Sequence, residues 1–129
     1  MLFVALALAL SPIQARQQPV GSMVFVEGYV TVPSGAFESF MRDRGFVIGD
    51  ERAGIYVTTQ DAGLREAGSA VEVRGVLADE HGLLVLRATE IRTGKGRHVV
   101  QPRRISLSEV DEEHEGNWCG CRGWWRVHR

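Results

Sequence analysis

The sequence predicts an all-β domain whose five strands close into a small barrel. Three observations carry that reading. Apolar residues recur at period two in several runs between Met23 and Ile91. Glycines interrupt those runs where strongly curved strands must bend. A stretch with helical character separates the third run from the fourth.

The first strand starts at Met23, with Val24, Val26 and Val30 alternating against Phe25 and Glu27, and Gly28 marks a bulge or tight bend. Pro33-Ser34-Gly35 ends it, and Ala36 to Arg44 is a connection. Phe46-Val47-Ile48 makes a short second strand closed by Gly49-Asp50-Glu51. After Ala53-Gly54, the run Ile55-Tyr56-Val57-Thr58-Thr59 has the β-branched and aromatic content of a third. Gln60 to Gly68 is the expected short helical connector. Val71, Val73 and Val76 define the fourth strand, with Glu72 and Arg74 on the opposite face and Gly75 as a kink. Asp79-Glu80-His81-Gly82 turns the chain, and Leu83 to Ile91 returns as the fifth. Five strands in this order, with one helical connector, describe a Greek-key OB-fold barrel over residues 23–92.

The runs Val26 to Pro33, Phe46 to Asp50, Gly54 to Val57, Gly68 to Leu77 and Gly82-Leu83-Leu84 resemble the bacterial OB-fold domains of secreted nucleases and related exported proteins. The resemblance covers about Met23 to Ile91. It implies the fold and an exported setting; such domains usually accompany a catalytic module, and none is recognisable in this chain.

Ahead of the barrel, Leu2 to Leu10 is an uncharged apolar run of nine residues. A bilayer span needs roughly 20. The run fits the apolar core of an export signal, with Pro12 as a helix breaker and Ile13-Gln14-Ala15 as the cleavage site, although no Lys or Arg precedes it. The expected organisation is a signal over 1–15, a linker over 16–22, the barrel, and an irregular tail over 93–129. That organisation implies export to the periplasm or beyond and no stable membrane span after cleavage.

The tail changes character twice. Arg92 to Arg104 carries Arg92, Lys95, Arg97, Arg103 and Arg104 without an acidic residue, whereas Glu109 to Glu115 holds five carboxylates in seven positions. All three tryptophans then fall within Trp118 to Trp125. A zinc site from His114, Cys119, Cys121 and His128 is one reading, but a single residue between the cysteines is too few for the usual structural spacing. An aromatic-basic tail that stacks on bases or rests on a membrane is a second. A third is a shifted reading frame: from the last base of the Asn117 codon, permitted codons yield Leu-Val-Arg-Val-(Pro or Ser)-Gly-Val-Val-Ala, the grammar of another barrel strand. The expectation is a frameshift product after Asn117, the remainder of a longer multi-barrel or nuclease-type protein.

Composition narrows the function classes. Fifteen Lys+Arg against 16 Asp+Glu give a net charge of −1, which excludes a strongly basic nucleic-acid-condensing protein. Two cysteines make no disulfide framework. No nucleophile elbow, phosphate loop or His-Glu helix signature is present, so the expectation is a non-enzymatic module with no cofactor and no metal. Its expected ligand is single-stranded DNA or RNA, held by aromatic stacking and cations: Phe46, Arg52, Tyr56, Thr58, Arg74, Arg87 and Arg97. Glu27, Asp50, Glu51 and Glu72 oppose phosphate on the same surface. The alternative is a structural or protein-interaction module with a protein partner.

Overall fold

The computed structural model describes residues 8–36, 45–60, 63–99, 101, 103–106, 108 and 119–121. It is mostly β. The strands are β1 (Met23–Val32), β2 (Phe46–Gly49), β3 (Gly54–Thr58), β4 (Ser69–Glu80) and β5 (Leu83–Arg97), preceded by a short helix α1 (Pro12–Arg16). The five strands form one closed ring in the order β1-β2-β3-β5-β4, antiparallel at every seam except the parallel pair β3–β5.

Alternation fills the ring. Val24, Val26 and Val30 of β1, Phe46 and Ile48 of β2, Ile55 and Val57 of β3, Val71, Val73 and Leu77 of β4, and Leu86 of β5 make one buried cluster. Withdrawing each such side chain from water contributes roughly 1.5–3 kcal/mol. Curvature this tight brings backbones together at two glycines the sequence marks. A Cβ on Gly75 would collide with the Arg87 carbonyl oxygen, beside a register shift between Arg74 and Gly75. One on Gly28 would lie 2.8 Å from the Gly49 carbonyl oxygen and 2.9 Å from Ile48 Cγ1. The β4–β5 turn is as expected: His81 and Gly82 both have positive φ (56° and 90°), and the Asp79 carboxylate accepts from the Gly82 N–H at 2.8 Å.

The helix is not where the sequence suggests. Among the described residues of the 60–68 connector there is only coil and a turn. Its backbone pairs with the end of β1 and the chain just after it: the Ser34 N–H donates to Arg65 O (3.1 Å) and the Gly68 N–H to Val30 O (2.8 Å). The short helix is instead α1, inside the stretch read as cleavage site and linker. Ser11 caps it, its Oγ accepting from the Gln14 N–H while the Gln14 side chain accepts from the Ser11 N–H, a closed capping box. Pro12 begins this helix rather than breaking one, since its missing N–H costs nothing in the first turn. Residues 21 and 22 are not a free linker either, because they bond to Leu77 on β4.

β5 runs on past Ile91 to Arg97, where Arg97 pairs with Ser69 at the start of β4. The tail is not wholly irregular: β6 (Arg103–Ile105) and β7 (Cys119–Cys121) pair as a separate two-stranded parallel sheet.

Candidate functional site

Strand register decides where each expected ligand contact points. Phe46 pairs with Val57, and both face the interior; Phe46 is fully buried, so it offers no stacking surface. The alternation with Ile48 already contained that signal. Tyr56 does face outward, opposite to Ile55 and Val57, yet it is only 4% exposed. Its ring lies across Gly45, where a Cβ would meet it, and it joins Val47 and Val85 in a second buried cluster, flanked by Val32, Ala78 and Leu83. Thus β2 is buried at all four positions and β3 at four of five, apolar on the outer face as well as the inner.

The four cations are exposed, and Arg87 and Arg97 are each paired with a carboxylate. Arg87 pairs with Glu80 (3.4 Å) and stands next to half-buried Thr58, its register partner. Arg97 pairs with Glu66 at 2.6 Å. Arg74 lies over the Phe25 ring, 5.5 Å from its centroid, and faces Glu90 across the strand pair. Arg52 sits in the β2–β3 turn, where the Asp50 carboxylate accepts from the Arg52 and Ala53 N–H groups (2.8 and 3.0 Å). Thr58 and Arg87 come together; Arg52 and Arg97 sit at separate places in the ring. The seven residues do not form one stacking groove.

The outer face of β1, β4 and β5 is a ladder of charge instead. One row reads Phe25, Arg74, Glu90; the next reads Glu27, Glu72, Arg92. Arg92 also reaches Glu90 Oε1, at 2.7 Å from Nη2 and 2.8 Å from Nε. Arg74 opposite Glu90 and Arg92 opposite Glu72 stabilise the β4–β5 pairing modestly, Glu27 opposite Glu72 opposes the β1–β4 pairing, and the face leaves little free positive potential for phosphate. Half-exposed aromatics are present on β1, one of which sequence reasoning passed over: Tyr29 stacks on His98 with centroids 4.8 Å apart. Its alternation with Phe25 and Glu27 was the available signal.

A cleft of about 520 Å³ opens where β1, the β2–β3 turn, the start of β4, the end of β5 and the segment around α1 meet. Glu27, Asp50 and Glu72 line it, with Lys95, Tyr29, Ser11, Gln14 and Ala9. Gly28 and Gly94 also line it. Three carboxylates against one lysine make it acidic. Among the described residues no group of three or more His, Cys, Asp or Glu is placed to hold a metal ion. His114, His128 and the acidic run 109–115 lie outside the described residues. Also among the described residues, no helix is long and apolar enough to cross a membrane.

No family model matches the chain. No curated protein matches it. Among solved structures, the chain is similar to the hypothetical protein YgiW of E. coli, with a TM-score of 0.53 at 14% identity over 67% of this chain and 90% of that one. At that identity the likeness shows fold alone: a bacterial OB-fold-type domain.

Proposed function

We propose that the protein is an exported Greek-key OB-fold barrel that works without catalysis, cofactor or metal, as a structural or protein-interaction module. One observation carries this reading. OB-folds bind oligonucleotides on the face of strands two and three, and here Val47 and Tyr56 on the outer face of β2 and β3 are buried in one cluster with Val85 of the neighbouring β5. A base has no exposed aromatic to stack on there. Among the described residues, the charge ladder and the acidic cleft are open surfaces suited to polar contact with a protein and poorly suited to a phosphate backbone.

A second reading, single-stranded nucleic-acid binding, is favoured by the pairing of Thr58 with Arg87 and by the acid-free run Arg92 to Arg104. Fluorescence anisotropy of labelled single-stranded DNA and RNA at low salt separates the two. The module reading expects no saturable binding by the full chain. Binding that falls steeply with salt and weakens when Arg74, Arg87 and Arg97 are neutralised would establish the nucleic-acid reading in its place.

A further inference from the structure

We infer that residues 10–22 are a strap that closes the wall of the ring and folds and unfolds with it as one unit, so that the bond between Ala15 and Arg16 is not a processing site. Only the consequence for the exported product rests on the export reading above.

The ring leaves a gap that the strap fills. β1 pairs with β4 from Met23 to Tyr29 but reaches β2 only at Tyr29. Among the described residues, the other edge of its first half is met by Leu10, which bridges to Val26 in parallel. The Leu10 N–H donates to Phe25 O at 2.7 Å, and the Leu10 carbonyl accepts from the Glu27 N–H at 3.0 Å. Without that partner the edge would present open backbone groups to any passing strand. From Leu10 the chain turns into α1, whose Arg16 Nη1 donates to Gly54 O of β3 at 3.0 Å. Pro12 and Ala15 are fully buried, Ala15 within the main core cluster, and Leu10 packs against that cluster. The far end is tied as well: the Gly21 N–H donates to Leu77 O at 2.8 Å and the Leu77 N–H to Ser22 O at 3.0 Å.

A helix of five residues has no stability of its own in water, so α1 keeps its shape only by resting on the ring. A cut after Ala15 would take Leu10, Pro12 and Ala15 out of the packing and leave Phe25 O and the Glu27 N–H without their strap partners. It would also strip Ser11 and Gln14 from the wall of the acidic cleft. The local sequence agrees: Ile13-Gln14-Ala15 offers a small residue at only one of the two positions that an Ala-x-Ala-like cleavage site requires.

Native-state hydrogen exchange on the full chain tests the strap, and N-terminal sequencing with intact mass of the chain exported from a bacterium tests the processing. The Leu10 and Glu27 amides are expected to exchange within about tenfold of the slowest ring amides. Exchange faster than that, with the ring still protected, overturns the inference, because the strap then opens by itself. Ala15→Glu, which forces a charge into the core, is expected to speed exchange at Leu10 and Glu27 at least about tenfold; parental protection in that variant overturns the inference, and if the variant does not fold, the parent's exchange pattern decides. The exported product is expected to retain Leu10 to Ser22. A product beginning at Arg16 overturns the inference and leaves export standing, whereas a chain held in the cytosol with a protected strap overturns export alone.

Discussion

Strands β2 and β3 and strands β4 and β5 belong to one ring and share one interior, yet they treat the outside differently. The first pair is short and apolar on both faces, with Val47 and Tyr56 buried outside and Phe46, Ile48, Ile55 and Val57 buried inside. The second pair is long, carries Glu72, Arg74, Arg87, Glu90 and Arg92 outward, joins the outer cluster at Val85, and stays paired as far as Ser69 and Arg97. Closure demands only that the inner face be apolar. The outer face is free to vary, and what it carries decides which surfaces can meet a ligand.

If the interior is common to both pairs, deleting a side chain there should cost the same on either. Ile48→Ala on β2 and Leu86→Ala on β5 are each expected to lose about 2–5 kcal/mol in urea unfolding; a loss under about 1 kcal/mol at only one of them would mean the ring does not share a single core. The outer faces should then diverge. Tyr56→Ala is expected to destabilise by about 3 kcal/mol, and Phe25→Ala, half-buried and backed by Arg74, by roughly 1 kcal/mol. Equal losses would erase the distinction between a covered face and an open one.

A smaller effect tests the curvature of the long pair. Gly75→Ala must push the Arg87 carbonyl aside at the β4–β5 seam, and a cost of about 1–3 kcal/mol in thermal unfolding is expected. No cost would show that the seam is looser than the register shift implies. Smallest is Arg97→Ala, which removes an ion pair whose two side chains are 68% and 78% exposed. Its loss should stay below about 1 kcal/mol and shrink further in 1 M salt; a larger or salt-insensitive loss would make the β5 extension a structural element rather than a solvated one.

Much of this was legible in the sequence. The strands begin or end within a few residues of the period-two runs, Gly28 and Gly75 sit at close backbone approaches, and Asp79 to Gly82 forms the turn. The helix was misplaced for a definable reason. Gln60 to Gly68 has helical composition but spends its backbone groups on Val30 and Ser34, a partner far along the chain that local pattern does not reveal. Pro12 next to an apolar run reads as a breaker until the Ser11–Gln14 capping box is noticed. Tyr56 marks a different limit: period two assigns it to the outside correctly, but alternation cannot say whether the outside is wet.

What the chain determines by itself, then, is which side of each strand faces inward, because that depends only on the two-residue repeat and on glycines that permit tight bends. What only the assembled structure decides is the fate of the opposite side. Burial of Tyr56, compensation of Arg87 by Glu80, and the seating of Ala15 in the core all depend on residues distant in sequence. Burial and charge pairing are properties of neighbours in space, and no local pattern encodes them.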